Sequence, residues 1–547
     1  MIRALHYHDA TKHHFNQFAR SAGQLDWATQ PDPFRRYAGA PLVELPRRAA
    51  SGARPSYRQL YSQGPPASTV TLDSIGEFFR CSMGLSAWKS YRATRWALRV
   101  NPSSGNLHPT EAYAVWQGGV FHYAADVHAF ERRATLGTVA TGAWDIGPAG
   151  SGFLVGLSSI HWREAWKYGE RAFRYCQHDM GHALGALRIA AALLGWRMTL
   201  VPRWSDVDLS ALLGLERDAD FLGAEREAPG CLALVMADAT PDPSRGAVAS
   251  SPAAPSADVL VDPAVLVGAA RAGTWYGSAN QLSRGHVEWP IIDEVAATTA
   301  YSATMPQGAD PAPPKAEPER FVPSGRSEFE GPAARDVILR RRSAVAFDPR
   351  ASLPLDTFRS MLLRLRPGAA PWDVLDWAPQ VHLALFVHRV EGLVPGVYVF
   401  LRDGEAEADL RAAMRSEFLW EPVHDLFLLL PTDVTWVANR LSCDQDIAGD
   451  GFFSLAMLSR VEAPLAAKGD WFYRRLFWEC GLIGQVLYLD AEASGVRGTG
   501  IGCFYDDAVH EALGLSGHAW QSLYHFAMGA PLDDTRLTTE PGYDWER

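Results

Sequence analysis

The sequence predicts an α+β protein built from two tandem copies of one domain. Three observations predict it. Arg171–Leu215, slid forward by 300 positions, lands on Trp471–Leu515 without a gap, and eleven of the 45 positions agree, among them Arg174/Arg474, Gly181/Gly481, Gly195/Gly495, Asp206/Asp506 and Gly214/Gly514. Composition alone would give roughly three agreements. Shorter echoes follow the same order: LDSIGEFF (Leu72–Phe79) with LDTFRSML (Leu355–Leu362), and GVFHY (Gly119–Tyr123) with GVYVF (Gly396–Phe400). Within each copy strands and helices mix without strict alternation, the mark of α+β layers. The expected divisions are an N-terminal domain 1–240, a linker 241–330 and a C-terminal domain 331–547.

Each copy opens on an amphipathic helix, Leu72–Phe79 or Leu355–Leu365, and continues in short strands. A long helix follows. In the first copy it is read as Tyr168–Leu194, with Ala183, Leu187, Ala190, Ala191 and Leu194 at helical spacing; its counterpart is Phe472–Ala493. Gly195 and Gly495 stand where a helix C-cap is wanted. A short helix ending in LLGL or ALGL and a strand (CLALVMA or LYHFAMG) close each copy. The linker holds two stretches rich in Pro, Ala, Ser and Gly, which favour extended, unpacked chain. Between them Trp275, Tyr276, Trp289, Ile291 and Ile292 are expected to dock on a neighbouring domain.

Composition excludes several function classes. The 547 residues carry 51 basic and 62 acidic groups, a net charge of −11, which argues against a nucleic-acid partner. The opening MIRALHYHDATKHHF lacks the apolar core of a secretory signal, and no apolar run reaches about 18 residues, so a cytoplasmic protein without a membrane span is expected. The six cysteines lie far apart with no CxxC pair, against a zinc ribbon, a thioredoxin-type pair or a disulfide scaffold. His6, His8, His13 and His14 have no fixed acidic or cysteine partner, and Asp444–Gly451 lacks the ligand spacing of a calcium loop, so no metal is expected. Asp179 and His182, one helical turn apart, read as a local hydrogen bond or a core contact.

Four motifs carry candidate chemistry. NPSSGNLHPTEAY (Asn101–Tyr113) offers hydrogen-bonding Ser103, Ser104 and Asn106 around Gly105, and serves equally as a polar loop or a ligand cradle. LRRRSAVAFDP (Leu339–Pro349) sets Arg341, Arg342 and Ser343 together, either a phosphate site or a solvated face. RGTGIGCFYDD (Arg497–Asp507) spaces glycines so that backbone can face a flat ring, and its first-copy counterpart has none. EAWKYGERAFRY (Glu164–Tyr175) sets Lys167 beside Tyr168, where an ammonium would lower the phenol pKa and make a general base; a surface Lys beside a half-buried Tyr is the alternative.

These motifs together resemble the nitroreductase superfamily, and more closely its SagB-type dehydrogenase branch, which includes azoline oxidases of peptide-modifying pathways. HDATKHHF, DWATQPDPFRRY and ANQLSRGHVEWPIIDE are similar to segments of the long, tandem members of that branch. The resemblance implies an FMN enzyme of the α+β flavin-reductase fold, whose members form homodimers with each flavin held between two protomers. It implies Arg341, Arg342 and Ser343 as phosphate ligands; Val345 replaces a later arginine of that motif, and Arg536 is expected to supply the charge instead. Ser103, Ser104 and Asn106 would reach the flavin from the other domain, and Gly500, Ile501 and Gly502 would lie beside its reactive edge. Lys167 and Tyr168 match the catalytic pair of the azoline oxidases.

The first copy has SSGN and Lys-Tyr but no RRS; the second has RRS and the glycine run but WAPQVHLALFV (Trp377–Val387) in place of SSGN. The halves are complementary, so the chain is expected to fold as its own monomeric pseudo-dimer with one complete FMN site. The expected activity is an FMN-dependent oxidoreductase acting on a peptide-derived or small heterocyclic substrate such as an azoline. In that reading Tyr168 removes a C–H proton, hydride goes to flavin N5, and other enzymes of a biosynthetic pathway are expected partners. An NAD(P)H-dependent nitroreductase and a non-catalytic flavoprotein partner are the rival readings.

Overall fold

A computed structural model describes residues 2–47, 54–61, 64–137, 151–202, 204–237, 262–302, 331–368 and 370–546. Two antiparallel sheets share one strand order. In the first the order is Thr274–Trp275, Ala129–Thr135, Gly119–Ala124, Thr110–Trp116, Gly152–Ser159, Ala228–Ala237 and Trp196–Leu200, with Leu42–Glu44 also pairing to Ala129–Thr135. In the second it is Glu421–Val423, Leu426–Pro431, Gly396–Phe400, Val381–Val387, Phe453–Arg460, Trp520–Gly529 and Arg497–Ile501. The central strands are buried along almost their whole length, as expected for strands covered on both faces.

The two long helices, Ala172–Leu193 and Phe472–Ala493, pack against each other at the seam between the copies. Each is buried on nearly every face, so neither is strongly amphipathic. They cross at the repeated glycines. A Cβ on Gly181 would sit 2.2 Å from the Trp478 carbonyl oxygen, and one on Gly481 would sit 2.1 Å from that of His178. Two ion pairs bridge the seam reciprocally: Arg174 to Asp506 at 2.7 Å and Arg474 to Asp206 at 2.9 Å. Each joins a repeated arginine of one copy to the repeated aspartate of the other. Gly195 (φ 69°) and Gly495 (φ 73°) follow the helix ends in the left-handed conformation of a C-terminal cap.

One helix boundary differs from the sequence reading. Tyr168 does not begin the long helix but ends a separate one, His161–Tyr168. The chain breaks at Gly169 (φ 56°), where a Cβ would meet the Arg20 carbonyl at 2.3 Å.

The terminal arms exchange sides. Helix Ala4–Ala10 lies on the second copy, where the His8 ring bonds Tyr473 and Gln521. Strand Thr538–Pro541 joins Leu85–Tyr91 of the first copy, and Tyr543 packs with Leu85 and Ala97. Of the linker, 262–302 is described; the two Pro/Ala-rich stretches fall largely outside the described residues. Its docked part adds Thr274–Trp275 to the first sheet, and Ile292 is buried in the main core with Trp289 and Ile291 against it. No helix among the described residues is long and apolar enough to cross a membrane.

Candidate active site

A cavity of about 410 Å³ opens at the seam. The first copy lines it with Ser103, Ser104, Gly105, Asn106 and Tyr168, and the second with Arg341, Arg342, Ser343, Gly500, Ile501 and Gly502. Motifs up to about 400 positions apart thus meet around one space. Lys167 stands at its margin, its Nζ 5.2 Å from the centre of the Tyr168 ring. Arg536 does not reach it: the exposed guanidinium is held by Asp534 at 2.7 Å. Lys89 and Arg99, which the motifs did not reveal, also line the cavity.

The SSGN loop is a tight turn that precedes the central strand Thr110–Trp116. Gly105 (φ 59°) has no room for a side chain, since a Cβ would sit 2.7 Å from the Tyr168 hydroxyl oxygen. Ser103 and Asn106 bond largely within the turn. Ser103 Oγ accepts from the His108 N–H at 2.7 Å, and Asn106 donates to the Ala97 carbonyl at 2.9 Å and bonds the His108 ring at 3.0 Å. Ser104 bonds downward, its N–H and hydroxyl donating to Asp179 Oδ1 at 3.1 and 3.2 Å.

Arg341 ends helix Ala334–Arg340 and is buried against first-copy backbone, donating to the carbonyls of Val100 and Arg99. Its Nη1 is buried with no hydrogen-bond partner. Arg342 donates to the Ser86 carbonyl at 2.9 Å, and burial together with neighbouring Arg341 pushes its pKa down to about 10. Two desolvated guanidiniums, with the Glu492 charge acting on both but no ion pair to a carboxylate among the described residues, and one orphaned N–H, are a donor set that suits an anion. A phosphate-bearing cofactor such as FMN fits this end of the cavity. Ser343 is tied to the glycine strand, its hydroxyl donating to Tyr488 Oη, which also accepts from the Gly500 N–H.

The glycine strand has a different physical cause from the expected one. A Cβ on Gly500 would lie 1.9 Å from Tyr524 Oη, and one on Gly502 would lie 2.0 Å from a Tyr175 ring carbon. Two tyrosines of the cavity wall, rather than a ligand alone, exclude side chains here.

Below the SSGN turn lie two buried carboxyls, Glu164 and Asp179. Desolvation raises both, Asp179 to about 7, and the Asp179 charge raises Glu164 further. Asp179 lines the cavity and bonds Ser104, while His182 Nε2 faces Tyr524 Oη at 3.1 Å; of the two readings of Asp179 and His182 the local hydrogen bond does not form, and both side chains are buried. The expectation of a lowered Tyr168 pKa is also corrected. Burial raises it well above the usual phenol value, and Glu164, Tyr175 and Asp179 raise it further. Tyr168 is a neutral phenol at rest. Lys167 and Glu164 both stand in the local sequence beside Tyr168; Asp179 is brought in by the fold.

Residues 338–530 match the family described as Nitroreductase family, a span holding both the arginine turn and the glycine strand. Over 97% of this chain and 100% of the other, the structure is similar to a presumed nitroreductase from Anabaena variabilis, with a TM-score of 0.67 and 19% identity. Each half has the nitroreductase-like fold. Shorter likenesses extend to a presumed nitroreductase from Ralstonia eutropha (13% identity, 40% of this chain and 97% of that one, TM-score 0.27). Another is the Escherichia coli microcin synthetase McbBCD complex bound to a truncated precursor (18% identity, 39% and 78%, TM-score 0.28). No curated protein matches the sequence. The tandem nitroreductase-like arrangement accounts for the shared strand order and for a cavity that draws on both copies.

Proposed function

We propose that the chain is an FMN-dependent oxidoreductase that dehydrogenates a small heterocyclic or peptide-derived substrate, such as an azoline, in one site shared by its two copies. The supporting observation is the seam cavity, where buried Arg341 with its free Nη1 faces a space shared with Ser104, Tyr168 and the Gly500–Gly502 strand. Arg341, Arg342 and Ser343 would hold the phosphate, and Gly500–Gly502 and Ser103–Asn106 would flank the ring. When bound, the flavin supplies the two-electron acceptor.

The chain's own groups handle the proton. Tyr168 presents a neutral phenol to the substrate, with the Lys167 ammonium beside its ring to steady charge that develops there. Asp179, divided between its two protonation states near neutral pH, takes a proton from the cavity through the Ser104 hydroxyl. The test is reconstitution with FMN followed by mass spectrometry of candidate azolines for loss of two hydrogens. Tyr168→Phe should retain the flavin and lose about 100-fold in turnover. A chain that stays colourless after incubation with FMN refutes the reading.

The neutral phenol also suits a proton donor in the reductive direction, which favours a nicotinamide-dependent reductase as the second reading. Rapid anaerobic bleaching of the flavin by NADPH alone would select it.

A further inference from the structure

We propose that Cys443 and Cys503 form a peroxide-reactive dithiol in the cavity wall, closing reversibly to an intramolecular disulfide. Their Sγ atoms stand 2.6 Å apart, well inside an ordinary contact between unbonded sulfurs, although 60 positions separate them in the chain. Both side chains are half-buried, and Cys503 lines the cavity. The other four cysteines, Cys81, Cys176, Cys231 and Cys480, are buried, and burial pushes each of their thiols up.

The surroundings hold the pair in place. Cys443 (φ 55°) and Asp444 (φ 57°) form a left-handed turn between helices Thr435–Leu441 and Ile447–Asp450, pinned by the Arg440–Asp444 ion pair at 2.6 Å. Gln445 fastens that turn to the opposite wall, its amide donating to the carbonyls of Ser442 at 2.7 Å and Cys503 at 3.2 Å. Cys503 follows strand Arg497–Ile501, and Arg171 donates to the adjoining Gly502 carbonyl at 3.3 Å. Cys503 is the member that lines the cavity and has the Arg171 guanidinium acting on it, so it is the attacking member.

The chemistry balances with one peroxide. The Cys503 thiolate attacks the O–O bond and becomes a sulfenic acid as water leaves. The Cys443 sulfur then displaces the sulfenic hydroxyl, forming the S–S bond and releasing a second water. Two thiols are oxidised by two electrons in all, hydrogen peroxide is reduced to two waters, and a dithiol reverses the change. The closed bond fixes the Gln445 turn to the strand that carries the cavity glycines. The site is independent of the cofactor reading.

The experiment uses the full chain, reduced and then treated with an equivalent of hydrogen peroxide, alkylated and mapped by peptide mass spectrometry. A cross-linked peptide joining Cys443 to Cys503 is expected in most of the protein, with two alkylatable thiols lost and both restored by a dithiol. In Cys443→Ser, dimedone should trap a sulfenic acid at Cys503. Two thiols that remain fully alkylatable, or Cys503 driven to sulfinic acid in the unsubstituted chain without a cross-link, would overturn the proposal.

Discussion

The two long helices carry carboxylates at equivalent positions, 179 and 479, and the copies treat them differently. Glu479 is saturated. It accepts from Trp377 Nε1 and from the backbone of Gln380 and Val381, and pairs with buried Arg402. Around it Arg475 pairs with Asp376 at 2.7 Å and Arg188 with Asp373 at 2.7 Å. Asp179 accepts from Ser104 and Ser103 and shares a hydrogen bond with Glu164, a second acid; it has no cationic partner among the described residues and borders open space. One ancestral position has thus become a structural anchor in one copy and a titrating group in the other. A buried carboxylate with every acceptor engaged holds a fold; one left half-engaged beside a cavity can exchange protons.

The strongest way to break this contrast is Glu479→Ala. It strands the Arg402 charge in the core and should cost about 3–5 kcal/mol in chemical denaturation. If Glu479 were the dispensable partner and Asp179 the anchor, the order would reverse. Gly181→Val tests the shared seam. Its side chain would collide with the Trp478 backbone, so a loss of about 3 kcal/mol is expected, whereas Gly404→Ala, with open space around it, should stay within about 0.5 kcal/mol.

Asp179→Asn sharpens the comparison through pH. The folded-state value of about 7 lies above the ordinary carboxyl value, so the folded chain holds this proton after the unfolded chain has lost it. Its contribution is full in acid and is lost as pH rises from about 4 through about 7. The variant should flatten that part of the stability profile and change the pH dependence of turnover; an unchanged profile would show that Asp179 is ionised throughout. The smallest effect belongs to Arg536→Ala, expected to leave both stability and flavin retention unchanged, because the side chain is exposed and occupied by Asp534.

These contrasts also mark what the sequence could reveal. The repeat at 300 was legible because it lies in identities: Gly181/Gly481 and Arg174/Arg474 are read directly. That Arg174 pairs with Asp506, and not with its own copy's Asp206, was not legible, because likeness identifies equivalent positions but not partners. The SSGN, RRS and glycine motifs led to the cavity, yet Tyr488 and Tyr524 in its walls belong to no motif. Lys167 beside Tyr168 suggested a lowered phenol pKa. The opposite holds first because burial removes water, which local spacing does not encode, and then because the charge of Glu164, four residues back in the same motif, adds to it, with Tyr175 and Asp179 behind. Spacing likewise hid Cys443 and Cys503, whose approach depends on two loops meeting at the cavity.

The most direct test of the account is flavin stoichiometry by native mass spectrometry of the chain incubated with FMN. One FMN per monomeric chain, lost in Arg341→Ala, is the predicted result. Two flavins per chain, or none, would contradict a single pocket assembled from unequal halves.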